Sequence, residues 1–394
     1  MPDHAELTAL DRALEITRAV PVHPKAETVR LEDALGRVLA REVRSLIDSP
    51  PFDKSSMDGF AVRATETASR LRVTQTIAAG GTPAGEVRPG ETARIMTGAM
   101  LPPGAGRVIR KEYVREEDGF IVVRTPEAGD NVIRRAANLA AGSTVVHRKV
   151  MTAADIGTLA ASGVDRVEAA VRPRILVVCT GPELRQPGEP LRPGEIYDSN
   201  GAQLRAQLAA LKCSAEVRSG VPDSPGPLSE LLAGAEGRAD VILLTGGISA
   251  GDFDYVPACL RQVGAEILFH RVSVRPGRPT LFARRDEQFF FGLPGNPVST
   301  FVIFEVFVKP FLYRMMGLDW SPPLRRGTLA HDLRRVEKDR TEFLPVRMRA
   351  GQVQAVPYHG SAHVNALAEA DGLLRVEIGV TMIEAGTAVD VLPV

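Results

Sequence analysis

The sequence predicts a multidomain protein of the α/β plus β class. An α/β layer sandwich is flanked by a helical first domain, an inserted β module and a C-terminal β domain. Three observations carry this. Over about 145 residues from Arg172, unbroken apolar runs alternate with helically spaced ones, the pattern of a doubly wound sheet. Residues 70–135 are glycine-rich and hold short apolar runs separated by turn signals, which suits a small β-barrel or compact sheet. After Gly317 only short β-like pieces remain. At 394 residues the chain is too long for one ordinary core.

The elements follow in order. Leu7, Leu10, Leu14 and Ile16 have roughly helical spacing over 4–20, and Pro21 and Pro24 end that helix. Thr28 to Arg41 repeats the pattern through Val29, Leu31, Leu35, Val38 and Leu39, which predicts a second helix. The prolines, polar residues and glycine of Pro50–Ala61 predict a loop, unusual in placing Phe52, Met57 and Phe60 around Asp58. Short strands are expected at Arg72–Ala78, Ala93–Met96, Arg107–Ile109 and Phe120–Arg124. Thr97 could donate to a ligand or cap a turn, and its setting favours the cap. Arg134 and Arg135 could grip an anion, but read more simply as a solvated pair. Thr152 to Asp155 forms an N-cap for a helix through Ile156 and Leu159, closed by Gly163. That helix is expected to pack on the N-terminal pair, making the β module an insertion.

From Arg172 the strands are expected at Arg174–Cys179, Glu216–Val221, Asp240–Leu244, Glu266–Val274, Thr280–Arg284 and Phe289–Leu293. Helices are expected from the Asp198 cap to about Lys212, at Pro227–Ala235, after Tyr255, and at Pro297–Met316. In such folds ligands sit at the carboxyl ends of the strands. Glu183, Asp223, the loop from Thr245 to Asp254 and the turn Leu293–Pro297 all fall at such ends. The Thr245–Asp254 loop follows a strand and opens a helix. Gly246, Gly247 and Gly251 let backbone N–H groups approach an anion, beside Ser249. Asp252 and Asp254 would repel a bare phosphate, so a metal ion or a ligand with donors is implied. The plainer reading is an αβ turn with capping aspartates. Pro294, Gly295, Asn296 and Pro297 likewise read as an anion turn or merely a rigid one. On one strand Arg271, Ser273 and Arg275 would share a face, with Arg278 in the next turn, a grouping suited to an oxyanion. An edge strand protected by charge is the alternative. In the C-terminal part, strands are expected at Thr328–Leu333, Glu342–Ala350, Val353–Val356, Leu373–Val376 and Ala388–Val391. His359 and His363 lack a third ligand nearby, so a metal reading is rejected in favour of Gly360-Ser361 as a substrate-facing turn.

Composition excludes several classes. The 48 basic and 48 acidic residues cancel, so no polycationic nucleic-acid surface is implied. Cys179, Cys213 and Cys259 are dispersed and read as buried small hydrophobes, with no disulfide framework and no cysteine zinc site. No leader-like start and no long apolar run is evident, so a cytoplasmic protein without membrane contact is expected.

These residues together resemble the molybdopterin molybdenumtransferase family, the bacterial MoeA proteins and the E domain of gephyrin. The likeness spans essentially the whole chain. It rests on Pro51-Phe52, Ser56–Ala61, Thr97-Gly98-Ala99, Thr180–Leu184, Ile196–Asn200, Thr245–Tyr255, Arg275–Pro279 and Leu293–Ser299. The resemblance implies four domains: 1–45 with 140–171 as the helical domain, 46–139 as the inserted module, 172–317 as the molybdopterin-binding fold, and 318–394 as a β-barrel. It further implies a homodimer whose site joins the α/β domain of one subunit to the inserted module of the other. The implied reaction inserts molybdenum from molybdate into adenylylated molybdopterin, with Mg2+ assisting hydrolysis and release of AMP. An upstream adenylyltransferase or a molybdoenzyme are implied partners. Asp58, Glu183, Asp223 and Asp254 match its acidic positions, and Asp58, Glu183 and Asp254 would hold the cation. Thr97, Asn138, Thr245 to Gly251, Pro294 to Pro297 and Ser361 would hold the pterin substrate, while Arg271, Arg275 and Arg278 would attract molybdate. The chain departs from the pattern at several points. Those three arginines replace the family's usual lysines. Its Gly-Glu-Asp segment appears as Ala136-Ala137-Asn138, Pro182 replaces an acidic residue, and Gly106 stands where aspartate is common. These changes motivate a second reading, a non-catalytic paralogue that carries molybdopterin or finished cofactor. A dinucleotide oxidoreductase is rejected, because the first strand ends in Thr180-Gly181-Pro182-Glu183 without its glycine fingerprint.

Overall fold

The computed structural model describes residues 7–248 and 255–394. The chain divides into two compact units, one of Met1–Glu27, Gly36–Ala40 and Ala170–Val394, the other of Thr28–Leu35 and Arg41–Ala169.

The second unit is built on a six-stranded sheet in the order Arg107–Arg110, Gly59–Val62, Glu91–Ile95, Arg70–Ile77, Phe120–Val123, Val114–Glu117. All neighbours are antiparallel except Arg70–Ile77 with Glu91–Ile95. Alternation along Gly59–Val62 sends Ala61 into one core, with Ile77, Ala93, Ile95 and Val108, and Phe60 and Val62 into another, with Leu71, Ile109 and Ile121. Both faces are therefore covered, which is why this strand is wholly buried. The sequence placed it in a loop. Gly59 shows why a glycine opens it, since a Cβ there would lie 2.1 Å from the Ile109 carbonyl oxygen. The helix Ala153–Ala161 begins at Thr152 with the expected capping box and packs against the turn Leu31–Asp33.

The expected helix from Thr28 to Arg41 does not form. Ala26–Arg30 is a strand, followed by a 3-10 turn at Leu31–Asp33. Thr28 and Val29 are β-branched and favour the extended form. Leu31 N–H donates to the Asp165 carbonyl, and Gly36 sits at φ +75, which ends any helical continuation.

In the first unit Leu10–Ala19 is a helix. The main sheet has the order Ala215–Val221, Ile175–Thr180, Val241–Thr245, Gln288–Leu293, Leu281–Arg285, Glu266–His270. The first four strands run parallel, and Leu281–Arg285 runs antiparallel to both of its neighbours. The three inner parallel strands, Ile175–Thr180, Val241–Thr245 and Gln288–Leu293, are buried on both faces, as their unbroken apolar runs predict. One face packs Leu176, Val178, Ile242, Leu244 and Phe290 against Leu228, Leu232, Val256, Cys259 and Leu260. The other carries Phe269, Phe282, Phe289 and Phe291 against Phe307 and Phe311. Asp198 caps the helix Ser199–Ala210 by accepting from the Gly201 N–H. All three cysteines are free and buried.

The C-terminal strands Thr341–Arg349, Gln352–Ala355, Arg325–Leu329, Ala388–Pro393 and Gly372–Val376 form a barrel, closed by pairing of the first with the last. Its core holds Leu329, Val346, Val353, Leu374 and Val391. The two-residue strand Val274–Arg275 adds to Thr341–Arg349 in parallel.

Candidate functional site

Three parallel strands deliver their carboxyl ends side by side. Cys179 is in register with Thr245, and Thr245 with Leu293. Beyond Thr245 the chain turns sharply, with Gly246 at φ +92 and Gly247 at φ +60. A Cβ on Gly246 would stand 2.5 Å from Thr180 Oγ1 and 2.7 Å from the Thr180 carbonyl oxygen, so only glycine fits. The Pro294–Asn296 turn runs alongside, and a Cβ on Gly295 would come 3.8 Å from Gly246 Cα.

Asn200 ties the two turns together. Its Nδ2 donates to Thr245 Oγ1 at 2.8 Å and to the Gly295 carbonyl at 2.7 Å. Thr245 Oγ1 donates in turn to the Pro294 carbonyl at 3.2 Å. Asn296 Nδ2 donates to Ser361 Oγ at 2.7 Å, and Val298 N–H to the Ser361 carbonyl. Asn296 and Ser361, expected separately as binding residues, are thus in direct contact.

A cleft of about 510 Å³ opens over these turns, lined by Gly246, Gly247, Pro294, Asn296, Arg275, Arg278, Arg340, Tyr358 and Ser361 among others. Burial pushes the Tyr358 phenol up to about 12, with Glu342 reinforcing and Arg275 opposing, so it remains a neutral donor near pH 7. Asp223 lies beside the turn: a Cβ on Gly247 would be 3.5 Å from its Oδ1. That oxygen is out of solvent and has no hydrogen-bond partner among the described residues. A buried orphan acceptor beside a glycine turn is a place for a donor or a cation.

Not all expected residues converge. Arg271 does not line the cleft. The expected strand ends at His270, Arg271 takes a left-handed φ of +66, and Ser273 is buried between buried Val272 and Val274. The alternation that would have put Arg271, Ser273 and Arg275 on one face is therefore absent. Glu183 folds back on its own turn, its carboxylate 2.6 Å from where a Cβ on Gly181 would stand. Ser249, Gly251, Asp252 and Asp254 lie outside the described residues.

In the other unit, Asp58 Oδ1 accepts from both the backbone N–H and the hydroxyl of Thr97 at 2.9 Å. Thr97 thus serves Asp58 rather than capping a turn. Lys111 Nζ lies 3.3 Å from Asp58 Oδ2. The Thr97 N–H above all, then its hydroxyl and the Lys111 ammonium, hold this carboxyl below its usual range. Arg134 and Arg135 are not free: they pair with Asp53, Asp130 and Asp48. Asn138 is exposed, and its backbone N–H donates to the Ser49 carbonyl.

The sequence reading missed Asn200, Lys111, Tyr358 and Arg340. Asn200 was legible as part of a helix start and of the Ile196–Asn200 motif, without a role of its own, although a polar side chain at a helix start beside strand ends is itself a signal. The others meet the site through long-range pairing that spacing does not reveal. His359 and His363 stack at 5.2 Å between ring centroids, and among the described residues no group of three His, Cys, Asp or Glu could hold a metal.

Comparison with known proteins decides the family. Residues 8–163 match the model described as "MoeA N-terminal region (domain I and II)", 176–314 "Probable molybdopterin binding domain", and 326–394 "MoeA C-terminal region (domain IV)". A molybdopterin molybdenumtransferase of Nostoc sp. is 34% identical over 385 residues, covering 93% of this chain and 88% of its own. The chain belongs to the MoeA family. A second member, the molybdopterin molybdenumtransferase of Haemophilus influenzae, is 30% identical and covers 98% of both chains. The crystal structure of a molybdopterin biosynthesis MoeA protein from Pyrococcus horikoshii superposes with a TM-score of 0.86 at 26% identity, covering 99% of this chain and all of its own. The MoeA-like architecture predicted from the sequence is therefore the observed one, and no helix among the described residues is long and apolar enough to cross a membrane.

Proposed function

We propose that this MoeA family member works in molybdenum cofactor biosynthesis as a molybdopterin molybdenumtransferase, inserting molybdenum from molybdate into adenylylated molybdopterin with release of AMP. One observation carries the reading. Two glycine turns, locked together by Asn200, floor a cleft whose wall bears Arg275, Arg278 and Arg340. The turns offer backbone N–H groups to the phosphate end of the substrate. The guanidiniums attract a tetrahedral oxyanion. Tyr358, kept neutral, donates without competing for charge. Asp223 Oδ1 is the acceptor left for a water or a hydrated cation.

Mg2+ enters this reading with the substrate's pyrophosphate, since it binds through few carboxylates plus phosphate oxygens. Asp223 suits that part better than Asp58, whose second oxygen already faces the Lys111 ammonium. The reading also takes the working form to be a cytoplasmic homodimer, which sedimentation of the purified protein checks. Molybdopterin and molybdate are its small-molecule partners.

The test is single-turnover AMP release. The protein is mixed with adenylylated molybdopterin, molybdate and magnesium, beside Asn138→Asp. Molybdate-dependent release by the unmodified protein is expected. Tight binding without release, restored by Asn138→Asp, would overturn the reading in favour of a carrier.

A further inference from the structure

A buried carboxylate is costly unless paired, and Glu342 is paired twice. Its side chain and that of Arg335 are only 6% and 4% exposed, with Arg335 Nε 2.8 Å from Glu342 Oε2. Through its Nη atoms Arg335 donates to the carbonyls of Val376, Glu377 and Arg340. The barrel backbone thus fixes Arg335, and its charge sits against Glu342 as a close ion pair, although Nε lacks hydrogen-bond geometry. The other carboxylate oxygen, Oε1, lies 3.3 Å from Arg275 Nε. Register explains the meeting, because Arg275 stands opposite Glu342 in the short parallel pair. Glu337 closes from another side, 3.2 Å from Arg275 Nη1 and 2.7 Å from Arg340 Nη2. Arg275 itself remains 36% exposed, on the cleft wall.

We propose that Glu342 is a positioning residue. It holds the Arg275 guanidinium in one plane so that an oxyanion in the cleft is met by a fixed fork, and it does not touch the anion itself. This rests on the reading of the cleft as the oxyanion site. A lysine at 275 would need no such anchor, because an ammonium is a point charge. An arginine's advantage is its planar geometry, which counts only when the plane is held.

The alternative is that Glu342 acts merely through its charge, and the two differ in sign. As a bare charge Glu342 repels an anion, so its neutralisation would tighten binding. As a positioning group its loss weakens binding.

The full-length protein is titrated with molybdate by calorimetry at fixed ionic strength. Glu342→Gln is expected to weaken binding about tenfold. Arg275→Lys should weaken it comparably, and the double variant no further than Arg275→Lys alone. In AMP release the loss should fall on the molybdate KM more than on kcat. Should Glu342→Gln fail to fold, Glu337→Gln, on the solvent side of the same guanidinium, is expected to weaken binding about threefold. Unchanged or tighter binding in Glu342→Gln or Glu337→Gln, or additive effects in the double variant, overturns the proposal and leaves the cleft assignment standing. No molybdate binding by the unmodified protein overturns the cleft assignment, and the proposal with it.

Discussion

Asp58 and Asp223 are both turn aspartates expected to act on substrate, yet the structure equips them differently. The Asp58 side chain is 40% exposed and yet committed: Thr97 and Lys111 engage both of its oxygens. Asp223 lies partly sheltered beside Gly247, with one oxygen unmatched among the described residues. Exposure therefore does not measure readiness to take a ligand. A carboxylate whose hydrogen bonds are already made is a fixed charge, whereas one with an orphan oxygen has something to gain from a partner.

The sharpest way to break this contrast is Asp223→Asn. AMP release is expected to fall about a hundredfold. The fold should be unharmed or stabilised by up to about 1 kcal/mol, because an oxygen shut off from solvent and unpartnered among the described residues loses its charge. Loss of stability together with activity would make Asp223 a structural residue. The next largest effect concerns the turn itself. Gly246→Ala forces a Cβ onto Thr180 at a left-handed φ and should cost about 3 kcal/mol in urea unfolding. Gly295→Ala meets only an ordinary contact, 3.8 Å from Gly246 Cα, and should unfold normally while weakening substrate binding. Equal unfolding midpoints for the two would refute the close approach. The smallest effect is expected at Asp58. Thr97→Val keeps the backbone donor, so AMP release should drop about tenfold or less.

The same variant should let the Asp58 carboxyl rise toward its ordinary pKa in an NMR titration. The sign for stability follows from the direction. Asp48, Asp53, Asp58 and Glu127 are all held below their usual values. Their contribution is complete above the ordinary carboxyl range near about pH 4. It is lost as pH falls through the lowered folded values, so Thr97→Val should lessen Asp58's share of that acid sensitivity.

Much of the molecule was legible because its signals are local. Thr152 with Asp155, and Asp198 before its helix, announce caps through spacing alone. The apolar runs of Ile175–Thr180 and Val241–Thr245 announce doubly buried strands. Errors arose where a distant partner overrode a local pattern. Leu7-to-Ile16 spacing gave a true helix, but similar spacing after Thr28 gave a strand and a turn. Arg271 to Arg275 alternates like a strand, yet a left-handed residue and a two-residue pairing with the barrel decide its path. For the site, the glycine turns were readable from composition. The meeting of Asn200 with Gly295, of Lys111 with Asp58, and of Glu342 with Arg275 was not, since each joins residues far apart in the chain.

The stretch Pro297–Met316 read as one long helix, but the middle of the observed Pro297–Met315 segment, Phe304–Val308, is a wider π turn. Such a turn holds one residue more than a regular ladder needs. Each residue of an α-helix rotates the following face by about 100°. Phe311 meets Phe282, Phe289 and Phe291 because that added residue has swung it round. Excising one residue at the wide turn would regularise the ladder and carry Phe311 off the aromatic cluster. This helix should therefore bear changes of side chain far better than changes of length.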